Sequence, residues 1–311
     1  MWSYKTIHFG IQRKIVSHMT TDSWRHVPHV AYSYEPDVTE FLAHFKKLNE
    51  SRAPEDKVTL NSLILKTIAM GVKVAPYLNA YIEFNRNFVT GRLDLIDYVN
   101  VSMPMTMPTG EMMTVNIRDV DKKSLEEIGE TVRSVREKFT RTDLEHAMYE
   151  VSIENTMNNL RQGHFIKTAM RLAGSLVGKH RVNHLRGEER RAYEQIPPTE
   201  RLTTRDLRQG TITISNIGSL YPAQTGVVNL IEIVPPQVAA FGVSAAQDRA
   251  VPVKKDDGSV EIEIRKVMPI CIVFDHRALD FGEVVPFIKR LDEIFANPEI
   301  MDTWSEIAPK K

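Results

Sequence analysis

Apolar positions change period several times along this chain, and the changes mark out its elements. Residues 11–22 read as a short helix. "HVAYSYEPDV" alternates as a strand does, and "VTEFLAHFKKLNESR" returns to helical spacing. "TLNSLILKTIAMGVKVAPYLNAYI" is strongly apolar and helical up to Pro76. Four strand-like pieces follow: "NAYIEF", "FVTGRL", "YVNVSMPM" and "MMTVNI". "DKKSLEEIGETVRSVREKF" is an amphipathic helix whose acidic start and basic end suit the helix dipole. Residues 140–209 are polar and helix-prone, with a basic excess from Arg161 to Arg208, and are interrupted by "IPPTE". Strand patterns return in "GTITISNIG", "VAAFGVSAA", a hairpin around "KKDDGSVEIEIRK", and "VMPICIVFDH"; "EVVPFIKRLDEIFA" closes the chain as a helix. Helices mix with strands joined by hairpins rather than by regular βαβ units. The pattern predicts an α+β fold around a mixed sheet, one domain over 1–311 with a helical basic insertion at about 140–209.

Composition narrows the function classes. Over 311 residues, 42 % hydrophobic and 26 % charged side chains leave ample material for a core. Zero formal net charge gives no general pull toward nucleic acid or an anionic membrane. A single cysteine, Cys271, excludes an intrachain disulfide and a cysteine metal cluster. With no signal-like start and no long apolar run, the expectation is a cytoplasmic protein with neither membrane nor nucleic-acid partner.

Candidate chemistry concentrates in "FDHRALDFGE", residues 274–283. His276 and Asp280 straddle a change from strand to helix, and histidine is the side chain best matched to proton transfer near neutral pH. The plainer alternative makes Asp280 a helix N-cap and His276 a hydrogen-bonded strand end. In "TISNIGS", Ser215 either belongs to a turn or offers its hydroxyl to a developing oxyanion. Cys271, mid-strand between isoleucines, reads as a small buried residue, and the methionines of "SMPMTMPTGEMM" as core filler. No phosphate-binding glycine loop and no metal-ligand histidine spacing is present.

Eight segments in order carry a resemblance: "IQRKIVSHM", "VPHVAYSYEPDVTEF", "NSLILKTIAMGVKVAPYLNA", "DYVNVSMPM", "IRDVDKKSLEEI", "GTITISNIGS", "PPQVAAFGV" and "FDHRALDFGEVVPFIKRLDEIFANPEIM". Together they resemble the catalytic domain of the dihydrolipoyl acyltransferases of 2-oxo acid dehydrogenase complexes, within the chloramphenicol acetyltransferase-like superfamily. The resemblance implies a two-layer sandwich of mixed sheet and flanking helices. It also implies acyl transfer between coenzyme A and dihydrolipoamide in a homotrimer whose active site lies between subunits. His276 would be the general base, Ser215 the oxyanion donor, and Asp280 the residue holding the turn through an ion pair. The coenzyme A contacts are not assigned.

The departures shape the remaining expectations. Phe281 stands where the family has glycine, which comes one place later at Gly282, so a reshaped turn and a narrowed acceptor channel are expected. His18 occupies a commonly basic position of the first helix. Neither a lipoyl domain nor a flexible Ala/Pro-rich linker is recognisable, so no lipoyl group is expected on this chain; the acceptor would be a small molecule or a lipoyl-bearing protein acting in trans. The basic stretch would meet coenzyme A phosphates or an acidic partner, or form a solvated helical face. The chain end, "DTWSEIAPKK", argues against a larger shell, although Trp304 and Ile307 would be free to dock on a neighbour. The alternatives are an O- or N-acyltransferase on a small molecule and a catalytically silent trimeric scaffold.

Overall fold

The fold is taken from a computed structural model, which describes residues 5–50, 52–107, 110, 112–161 and 184–306. The chain divides into two compact units: Met1–Asp22 with Thr106–Glu111 and Arg133–Arg208, and Ser23–Met105 with Met112–Val132 and Gln209–Lys311.

The larger unit is built on a six-stranded mixed sheet in the order β1-β10-β7-β6-β4-β5. Its strands are β1 (His29–Tyr34), β4 (Val101–Thr106), β5 (Met112–Ile117), β6 (Ile212–Asn216), β7 (Ala239–Val243) and β10 (Ile270–Asp275). β1 and β7 flank β10 antiparallel, while β6 runs parallel to both β7 and β4. Two hairpins stand apart from the sheet, β2 (Ala80–Asn85) with β3 (Thr90–Leu95), and β8 (Gln247–Lys254) with β9 (Val260–Val267). Every residue of β7 and β10 is buried, so both faces of the central strands are covered.

Helices cover one face. α2 is Thr39–Glu50, α3 is Leu60–Lys73 and α4 is Leu125–Thr140, after α1 at Ile11–His26. α3 is buried almost end to end, and its Thr59 cap accepts the Ser62 amide. The last long helix, Phe281–Ala296 (α8 in chain order), packs closely on α3: a Cβ at Gly71 would lie 2.7 Å from the Phe287 ring. Phe287 also meets Phe241 of β7 with centroids 5.0 Å apart. The opposite face is covered by irregular chain at 226–237, here called the strap. Its Val228, Ile231 and Ile233 pack with Val27, Ala240, Cys271 and Val273. At the chain end, Pro298–Trp304 forms a 3-10 turn that buries Trp304 to 7 % exposure, so this ring is not free to dock elsewhere. Ile307, Lys310 and Lys311 lie outside the described residues.

The smaller unit is helical. It holds α5 (Leu144–Arg161), α6 (Gly187–Glu194) and α7 (Thr204–Leu207) around Val135, Phe139, Ala147 and Leu202. Many of its arginines are engaged within the unit. Arg141 pairs with Glu200, Arg208 with Glu154 and Arg190 with Glu194, and the Arg201 guanidinium lies 4.6 Å from the Tyr193 centroid. That matches a solvated helical face better than a cradle of free cations. The central part of the basic stretch, 162–183, lies outside the described residues. Among the described residues no helix is long and apolar enough to cross a membrane.

Candidate active site

The β-branched run of β10 ends at Asp275 because that carboxylate, fully buried, is satisfied locally. It accepts the Arg277 backbone N–H at 2.9 Å and the Arg277 guanidinium through Nε at 3.0 Å and Nη2 at 2.6 Å. The turn is closed by the Ala278 and Leu279 amides, which donate to the Asp275 carbonyl at 2.9 and 3.1 Å. Buried Leu279 anchors it from the far side. Asp280 then N-caps α8 in a capping box with Glu283, its own amide donating to the Glu283 carboxylate at 2.9 Å.

This clamp lifts His276 out of the sheet. Its amide donates to the Pro28 carbonyl at 3.0 Å, while its side chain keeps 53 % of its surface exposed. Nδ1 lies 3.1 Å from the Leu279 carbonyl and 3.4 Å from Oδ1 of Asp280. A carbonyl oxygen only accepts, so Nδ1 carries the proton of the neutral ring and the Nε2 lone pair faces outward. Among the described residues no hydrogen bond engages Nε2. The Asp280 carboxylate is 83 % exposed, and the buried ion pair of this turn belongs to Asp275 and Arg277 instead. Both the capping and the proton-transfer readings of "DHRALD" are therefore compatible with one geometry.

Phe281 does not reshape the turn through backbone strain. Among the described residues the only non-glycine positive φ values are at Val89 and Asp119, and a Cβ at Gly282 would meet open space. The Phe281 ring lies, 43 % exposed, against Tyr32 of β1 with centroids 5.0 Å apart.

Ser215 stands near the end of β6, opposite Gly242 of β7. The next residue, Asn216, accepts the Ser219 amide at 3.1 Å and donates to Asn61 at 3.1 Å. Gly218 is required there, since a Cβ would lie 2.7 Å from the Ala245 amide nitrogen. The sheet register keeps Ser215 away from His276 of its own chain. Gly242 is level with Cys271, five residues before His276 and two strands from Ser215, a separation of roughly 15–20 Å at ordinary strand spacings.

Cys271 is 1 % exposed and burial pushes its thiol up to about 11, which suits a core residue and not a nucleophile. Met103, Met105, Met107 and Met113 are likewise buried core. The sequence reading passed over the Asp275–Arg277 clamp; its one signal was a D-x-R spacing at a strand end.

A model of the family 2-oxoacid dehydrogenases acyltransferase (catalytic domain) matches residues 4–156 and 188–302, leaving out 157–187. The dihydrolipoyllysine-residue acetyltransferase component of the Neurospora crassa mitochondrial pyruvate dehydrogenase complex is 23 % identical over 296 residues, 95 % of this chain and 50 % of that protein. This chain thus spans about half the length of the curated relatives it matches. The cubic core of a pyruvate dehydrogenase multienzyme complex superposes with a TM-score of 0.62 at 19 % identity, covering 96 % of this chain and 94 % of that one. An Azotobacter vinelandii dihydrolipoamide acetyltransferase, studied for a serine, a histidine and an asparagine in its catalytic mechanism, gives 0.61 at 20 % identity, with 96 % and 94 % covered. The mixed sheet with helices on one face is therefore a shared fold.

Proposed function

We infer the chemistry of this site from one premise: the chain belongs to the 2-oxoacid dehydrogenase acyltransferase family. It moves an acyl group between coenzyme A and the thiol of dihydrolipoamide, with coenzyme A as a substrate and not a resident cofactor. The observation that carries this reading is the His276 tautomer, with Nδ1 committed to Leu279 and Nε2 open.

The proposed steps are those of thiol-to-thioester acyl transfer. A thiol with pKa near 8.5 is mostly protonated at neutral pH. His276 Nε2 removes its proton as sulfur attacks the thioester carbonyl. The oxyanion of the tetrahedral intermediate accepts a hydrogen bond from Ser215. Collapse expels the coenzyme A sulfur, which takes the proton back from the imidazolium. One thioester forms as another breaks, so no oxidant or metal enters the balance. Asp280 stabilises the imidazolium across 3.4 Å, discounted by its exposure to water. In the Azotobacter enzyme the named histidine and asparagine are four residues apart, as His276 and Asp280 are here.

Because the register separates His276 from Ser215 within one chain, the working unit is a homotrimer in which each site takes the two residues from adjacent subunits. A protein-borne lipoyl group is the natural macromolecular acceptor. Incubating the purified protein with acetyl-CoA and dihydrolipoamide, and measuring S-acetyl-dihydrolipoamide by mass spectrometry, tests the reading. Product above the enzyme-free control is expected. Acylation of hydroxyl or amine acceptors alone would point to small-molecule acyl transfer, and no product with any acceptor would point to a silent scaffold.

A further inference from the structure

We propose that His29 is a positioning residue for His276: it latches the strap onto the sheet beside the catalytic turn, and its protonation releases that latch. The inference rests on the reading of His276 as general base.

His29 opens β1 directly opposite Asp275, where β10 ends. The carbonyl just before it, on Pro28, accepts the His276 amide at 3.0 Å, so residues 28–29 form the backbone seat of the catalytic histidine. Behind that seat, His29 Nε2 accepts the Ile233 N–H of the strap at 3.1 Å. The Val27 backbone lies close enough to the ring to favour its charged form. Ser23 donates its hydroxyl to the Ile233 carbonyl at 2.7 Å, which leaves its oxygen 3.3 Å from Nε2 with no proton to offer it. One strap residue is thus gripped through both of its backbone groups, its N–H by His29 and its C=O by Ser23. Ile233 itself is fully buried in the cluster with Val27, Ala240, Cys271 and Val273.

The grip works only with a neutral imidazole. A protonated Nε2 would turn a donor toward the Ile233 N–H, and a buried amide without an acceptor is costly. The groups around the ring oppose one another. Asp275 of β10 and Glu232 of the strap favour the charged form and Arg277 disfavours it, while α1 places the Ser23 hydroxyl and the Trp24 ring against His29, the two ring centroids 5.4 Å apart. Burial outweighs the favourable charges and the Val27 backbone, and holds His29 below 6.5. For a base depressed in this way, the unfolded or unlatched state binds more protons. The latch is intact above pH 6.5 and is lost as pH falls through the folded value. A proton on the latch adds to the one taken up by the general base, so the acid limb of kcat/KM should involve more than one proton.

His29→Gln and His29→Leu provide the test. Glutamine places Oε1 where Nε2 was, accepting from Ile233 without titrating; leucine leaves that amide unpaired. The wild type should show an acid limb of kcat/KM with slope clearly above one. H29Q should keep at least about a third of the rate near pH 8 with a slope of one, whereas H29L should lose about tenfold or more in kcat with little change in KM. An unchanged slope in H29Q, or wild-type kcat in H29L, overturns the proposal. Hydrogen–deuterium exchange, corrected for intrinsic rates, follows the same event without turnover. Uptake in peptides covering 226–237 should rise as the pH is taken down from 6.5 in the wild type and not in H29Q. If acyl transfer is not found at all, exchange still decides the latch; flat exchange in the wild type ends it whatever the kinetics show.

Discussion

Two polar clusters in the larger unit look alike in sequence and differ in what they leave unpaired. "FDHRALD" forms the turn after β10, and "IRDVDKK" forms the loop between β5 and α4. In the second cluster the buried charged groups are consumed. Buried Lys66 donates to the carbonyls of Val120, Asp121 and Lys123 at 3.2, 2.9 and 2.7 Å. Asp121 accepts the Val99 amide at 3.0 Å and Lys73 at 2.7 Å. Burial alone would raise its pKa, but those bonds outweigh it and hold the carboxyl below 3.8. Asp119, with φ 53°, is held by Asn100 at 2.8 Å. In the first cluster Asp275 and Arg277 are saturated in the same manner, yet His276 keeps a ring nitrogen without a partner among the described residues and over half its side-chain surface open. A saturated cluster stabilises a shape. A cluster saturated except at one basic atom can hold that shape while offering the atom to a substrate.

His276→Ala breaks the comparison most sharply. Removal of a general base should cost about 10²- to 10⁴-fold in kcat/KM with the fold unchanged by circular dichroism, since the side chain is exposed and its anchoring is by backbone. Turnover near wild type would strip the turn of its assigned chemistry. Ser215→Ala comes next, with a loss corresponding to about 2.7–4 kcal/mol in kcat and little change in acyl-CoA affinity, because an oxyanion donor acts in the transition state. A raised KM at constant kcat would make Ser215 a binding residue.

Lys66→Met reverses the pattern. Two buried carbonyls and one half-buried carbonyl lose their donor, and stability should fall by about 2–3 kcal/mol, partly offset because an ammonium no longer has to be buried. Activity per folded enzyme should stay within about twofold. Thermal unfolding and active-site-normalised rates together check it; a rate loss with unchanged unfolding would make the loop part of the site and dissolve the distinction drawn here.

Much of this architecture is legible in the sequence where side chains repeat with a period. α3, β6, β7 and β10 follow from apolar runs and their flanking turns, and the mixed sheet from their arrangement. Boundaries slip where polarity masks the element. α1 continues to His26 through "SWRH", whose buried member is Ser23, and α8 starts at Phe281, two residues before the expected Glu283, because "FG" reads as turn. The strap has no period, being irregular chain held by His29, Ser23 and Gln209, so nothing in the pattern announces that it covers β7 and β10. The Asp275–Arg277 clamp depends on burial at a strand end, which composition does not reveal. His276 and Asp280 came from chemistry and resemblance together. The separation of Ser215 from His276 needed the register of three strands.

The smallest effect tests the edge of the open cluster. Phe281 follows the Asp280 cap directly, and its ring shares an exposed aromatic pair with Tyr32 beside the catalytic turn. Replacing it with glycine removes a half-exposed contact and puts a flexible residue at the first position of α8, where glycine is tolerated better than in a helix interior. The backbone needs no adjustment, because neither Phe281 nor Gly282 has a positive φ. Stability should therefore fall by no more than about 1 kcal/mol. If the Tyr32–Phe281 pair borders the substrate path, the variant should accept bulkier acyl donors or acceptors with kcat/KM raised several-fold relative to acetyl transfer. A panel of acyl-CoAs of increasing chain length, run against dihydrolipoamide, measures this as a ratio insensitive to enzyme concentration. Identical ratios in parent and variant would place the ring outside the path and leave it as surface packing on β1.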